Sequence, residues 1–101
     1  MRLCTHQTTI EAEDKGDGTV AVRIESDCKD VQHFAQLLTE VGPEDYTQIG
    51  GSKVWELAAQ ARLTPTCLIP TAVFNACWME TGMISKSLAL KEKAICIHFQ
   101  E

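Results

Sequence analysis

The sequence predicts an α+β domain: a small, mostly antiparallel three-stranded sheet in the order β-β-α-α-α-β, with helices packed on one face. Three observations carry this. Two alternating segments flank a glycine-containing turn near the start, helical-period apolar segments fill the middle, and an alternating segment follows near the end. A chain of 101 residues is expected to form one domain spanning 1–101. At that size, folding buries roughly two-thirds of the unfolded surface, enough for a core without disulfide staples.

The elements follow in order. From Leu3 to Ala12, Thr8, Ile10 and Ala12 fall on one side of a strand, with Thr9 and Glu11 on the other. Asp14-Lys15-Gly16-Asp17-Gly18 supplies turn chemistry, and Thr19–Ser26 repeats the alternation with Val20, Val22 and Ile24 inward. Ser26 and Asp27 are suitable caps for a first helix whose inward positions are Val31, Phe34, Ala35, Leu38 and Val41. Gly42-Pro43 ends it, and Glu44–Gly51 reads as an irregular connection. Ser52 opens a second helix to about Arg62, burying Val54, Leu57, Ala58 and Ala61. Pro70 suits the first turn of a third helix, which runs to about Thr81 with Val73, Phe74, Cys77 and Trp78 inward and Gly82 as its stop. Ala94–Phe99 alternates as a last strand.

A net charge of −5 with scattered lysines and arginines argues against nucleic acid as a partner. No stretch approaches the ~20 apolar residues that cross a bilayer, and the first residues lack the apolar core of a signal peptide. The expected location is the cytoplasm. The outward sheet face, carrying Ala21, Arg23, Cys96 and His98, is either solvated or paired with a second copy as a homodimer; no other protein partner is legible.

Five cysteines are many for an unexported chain, and since the number is odd a closed disulfide framework cannot use them all. Cys28 follows a strand and stands at a helix mouth, where free N–H groups and the helix dipole favour an anion. Cys67 precedes the third helix in a similar way, and Cys4 lies near the start of the first strand. Three thiolates suit zinc or an iron–sulfur cluster, although no C-x-x-C pair is present. Cys4, Cys28 and Cys67 are therefore the candidate metal ligands. A weaker alternative joins Cys4 and His6 with Cys96 and His98 as a Cys₂His₂ zinc site, but its strand phases conflict. Cys77 reads as a buried small hydrophobe, His33 as a surface residue, and Gly50-Gly51-Ser52-Lys53 as a helix cap after a loop. Nothing identifies a catalytic triad or an enzyme class. Three readings fit: a metal or cluster binding module, a thiol redox protein with Cys28 as nucleophile, and a structural or interaction module with buried cysteines.

Ile24-Glu25-Ser26-Asp27-Cys28, and Thr66-Cys67-Leu68-Ile69-Pro70 before a glycine-ended helix, resemble an uncharacterised family of small domains from methanogenic archaea and anaerobic bacteria. The resemblance covers most of the chain and implies that Cys4, Cys28 and Cys67 are its three shared cysteines. Thr5-His6 and Leu68 stand where that family tends to have Gly-aromatic and proline. A looser likeness is to iron–sulfur scaffolds that carry three cysteines on loops of a small α+β domain, without their glycine-rich ligand motifs.

Overall fold

The computed structural model describes residues 7–85 and residue 87. β1 (Thr8–Asp14) and β2 (Val20–Ser26) form an antiparallel hairpin, with Thr8 opposite Ser26 and Asp14 opposite Val20. The five-residue connection closes through Lys15 N–H to the Thr19 carbonyl at 3.0 Å. Gly16 and Gly18 take positive φ values of 89° and 94°, a region in which a Cβ clashes with the backbone. Asp14 and Asp17 tighten the turn, their carboxylates accepting from the N–H groups of Gly16 and Thr19. The hairpin is as the sequence pattern predicts.

The α+β class is also as predicted: among the described residues, an antiparallel sheet of three strands is ordered β1-β2-β3, with helices against one face. Val20, Val22 and Ile24 are buried on that face, while Thr9, Glu11, Glu13, Arg23 and Glu25 on the other are exposed.

α1 (Lys29–Leu37) is shorter than its periodicity suggested. Leu38 leaves the helix with ψ 95°, and β3 (Glu40–Val41) pairs with β2. Thr39 accepts from Val22 N–H at 2.9 Å, so the open edge of β2 captures this segment. Leu38 and Val41 are buried whichever way the backbone runs, so burial spacing could not tell a helical turn from a crossing strand. The expected last strand, 94–99, lies outside the described residues.

The segment read as irregular contains a short helix, α2 (Pro43–Tyr46), with proline in its first turn. Asp45 is 9% exposed and fastens α2 to α3 (Lys53–Gln60). Its carboxylate accepts from Gly42 N–H and from Lys53 N–H. Ser52 completes the junction, donating to the Asp45 carbonyl and accepting from Val54 N–H as the α3 cap.

α3 and α4 (Ile69–Glu80) end in the same way. Leu63 N–H bonds the Ala58 carbonyl and Arg62 N–H the Ala59 carbonyl; Met83 and Gly82 repeat this pairing with Trp78 and Met79. Both are Schellman stops, which need a left-handed residue after the cap. Gly82 meets the requirement without strain, whereas Arg62 holds φ 62° with a side chain attached. Arg62→Gly is expected to raise stability by about 0.5–1 kcal/mol in urea unfolding, as left-handed strain is relieved against the entropy that glycine adds to the unfolded chain.

The core joins the inner sheet face to Val31, Phe34, Leu38, Val54, Ala58, Val73 and Cys77. α1 lies against β2, and α4 packs along β1.

Candidate functional site

Two regions bear chemistry. The first is built from the starts of α1 and α4. β2 ends at Ser26, and Cys28 is the N-cap of α1 with extended backbone (φ −86°, ψ 124°). Its thiol makes no capping hydrogen bond, while its own N–H is held by the Ser26 hydroxyl at 3.1 Å. α4 also starts without a side-chain cap: Leu68 is its N-cap, and Cys67 directly precedes it in a turn closed by Cys67 N–H to the Thr64 carbonyl. Cys28 and Cys67 are both half-buried free thiols. α3 differs, since Ser52 satisfies its first turn with a side-chain oxygen.

The hairpin continues past Thr8 toward Cys28. Gln7 N–H donates to the Asp27 carboxylate at 3.0 Å, and Asp27 N–H returns a bond to the Gln7 carbonyl at 3.4 Å. Cys4, the third predicted ligand, lies outside the described residues, as do His6, Cys96 and His98 of the alternative Cys₂His₂ set. Among the described residues, no group of three or more His, Cys, Asp or Glu side chains is arranged to hold a metal ion.

Cys77 is the structural cysteine that the sequence suggested. It is fully buried in the core, and burial pushes its thiol up from 9.0 to about 11. A folded-state value above the unfolded one stabilises the fold below pH 9 and loses that contribution as pH rises toward 11. Native protein at pH 8 should therefore leave Cys77 unmodified by iodoacetamide over the time in which an exposed thiol reacts fully, by mass spectrometry. Brief unfolding in urea should expose it. His33 is exposed on α1, as expected.

The second region was not foreseen as a site. Tyr46, Thr47, Gln48, Ile49, Trp55, Thr71, Phe74, Asn75, Trp78 and Ile84 line an open groove of about 690 Å³. Trp55 and Phe74 form a tilted aromatic pair with ring centroids 5.7 Å apart. The Trp78 indole N–H donates to the Tyr46 carbonyl, and the Tyr46 hydroxyl donates to the Gly18 carbonyl at 2.9 Å in the hairpin turn. Phe74 and Trp78 pack on the core, as their helical spacing predicts, and their half-buried outer surfaces also form the groove wall. The available signal was Trp55, an aromatic residue off the inward stripe of its helix.

A model of a family of unknown function, DUF6951, matches residues 1–92. The chain belongs to this family. Family membership thus spans both helix starts and the groove, and assigns a reaction to neither. No curated protein and no solved structure matches the chain. No helix among the described residues is long and apolar enough to cross a membrane.

Proposed function

We propose that this DUF6951 domain is a cytoplasmic binding module whose Cys4, Cys28 and Cys67 thiolates hold a zinc ion or an iron–sulfur cluster. The observation that carries the reading is the pair of helix starts. α1 and α4 each begin without a side-chain cap and each has a free, half-buried cysteine at or next to that start. First-turn amides left without a side-chain acceptor favour negative charge, which thiolate ligands bring.

Chain geometry supports the grouping. Cys4 is three positions before Gln7, so chain length alone limits their Cα separation to roughly 11 Å. Gln7 is bonded to Asp27, the neighbour of Cys28. Cys67 joins the group through α4. Trp78, in the second half of α4, is tied through Tyr46 to Gly18 in the hairpin turn. α4 packs against β1, the strand paired with β2, and Cys67 stands just ahead of its first residue.

Zinc or cluster iron takes sulfur readily, and three protein thiolates leave a position for a further ligand. Binding requires the thiols to deprotonate, so uptake releases protons and weakens as pH falls. Asp27 would oppose the accumulated negative charge, and Lys29 would offset it.

The test is metal content after purification without oxygen. The native protein is expected to hold stoichiometric zinc or iron. Cys28→Ser and Cys67→Ser are each expected to lose at least about 90% of it, in line with strong dependence on each first ligand. Cys77→Ala should retain it. A metal-free native protein whose Cys28 is alkylated rapidly at pH 7 would overturn the proposal in favour of a thiol redox protein.

A further inference from the structure

We propose that the groove between α2, α3 and α4 is a binding site for an uncharged, largely apolar aromatic small molecule. Its size suits such a ligand: about 690 Å³ lies within the ~300–1,000 Å³ of small-molecule pockets. Its chemistry narrows the class further. In a chain of net charge −5, none of the ten lining residues is Asp, Glu, Lys, Arg or His. A charged ligand would give up hydration there without gaining an ionic partner from these described lining residues.

The polar groups of the lining are mostly engaged already. The Tyr46 hydroxyl is bonded to Gly18, the Trp78 indole to Tyr46, the Thr47 hydroxyl to Pro43 and the Asn75 amide nitrogen to Thr71. An extended peptide, which must satisfy its own N–H and C=O groups, finds few partners here. A ligand with few hydrogen-bonding groups loses little.

The same bonds fix the walls. Tyr46 and Trp78 are each held at their polar ends, and Trp55 lies against Phe74. A wall ordered in advance spares the ordering cost that weakens binding to flexible surfaces. Trp55 is 38% exposed and Ile49 is 75% exposed at the rim, leaving apolar surface for an aromatic ring to cover.

Two matched probes test this. N-phenyl-1-naphthylamine is uncharged, and 1-anilinonaphthalene-8-sulfonate carries the same aromatic frame with a negative charge. Both tryptophans of the chain line the groove, so energy transfer from indole to naphthalene reports occupancy directly. The uncharged probe is expected to bind one to one with a Kd of about 10 µM, and the sulfonate about tenfold more weakly. Trp55→Ala should weaken the uncharged probe about tenfold while the thermal transition shows that the protein remains folded. Ile49→Asp changes only the exposed rim and should also weaken it, which keeps the test valid if Trp55→Ala does not fold. The absence of saturable binding, equal or tighter binding of the sulfonate, or indifference to both substitutions would overturn the assignment. So would loss of probe binding as the protein self-associates with rising concentration, which would make a second copy the occupant. None of these outcomes depends on metal content.

Discussion

Phe34→Ala is expected to lower the unfolding free energy by about 3–5 kcal/mol, the cost of deleting a fully buried aromatic side chain and leaving a cavity. Phe34 is 0% exposed and belongs to the core cluster with Val20, Val22 and Val31, so its ring joins α1 to the inner sheet face. α1 is only 9 residues long, too short to persist without tertiary packing. Its cap, Cys28, is therefore held by the docking that Phe34 provides. Urea unfolding should show a lower midpoint with an unchanged slope. A loss below about 1 kcal/mol would mean that α1 docks by other contacts.

Trp78→Ala should cost roughly 2–4 kcal/mol, somewhat less than a fully buried tryptophan because one surface faces the groove. Two losses combine. The indole packs against the core, and its N–H is the partner of the Tyr46 carbonyl. Trp78→Phe separates them: it keeps much of the apolar contact and should cost about 1 kcal/mol, the typical net value of one hydrogen bond. Tyr46 emission and the transition midpoint, followed together, would show whether α2 loosens with the indole gone. If Phe and Ala cost the same, the hydrogen bond rather than the packing holds α2 against α4.

These two side chains also show what was legible in the sequence. Alternation in β1 and β2 has a period no helix shares, so the hairpin and its inward face could be read directly. Ser52, Pro70 and Gly82 marked helix ends because each suits a backbone geometry that few residues accept. β3 was not legible, because Leu38 and Val41 keep helical spacing while the edge of β2 decides the backbone path. α2 was also missed: its Gly-Pro start resembles a stop, and its stability comes from Asp45 and Ser52 acting across the chain. The groove depends on tertiary contact between residues up to 32 positions apart, Tyr46 and Trp78, which local spacing cannot encode.

For the cysteines, local reading went further. It set Cys28 and Cys67 at helix starts and Cys77 in the core, and all three stand there. The cap of α1 was not legible: Ser26 and Asp27 suit that role by residue type, yet the chain turns into the helix at Cys28, which makes no side-chain capping bond.

X-ray absorption at the zinc and iron edges of protein purified without oxygen tests the three-thiolate site most directly. A bound metal with sulfur ligands at about 2.3 Å is expected, three of the sulfurs supplied by Cys4, Cys28 and Cys67. Cys28→Ser and Cys67→Ser should each remove the metal and with it the edge signal. Native protein that holds no metal, or a first shell of nitrogen and oxygen alone, would contradict it.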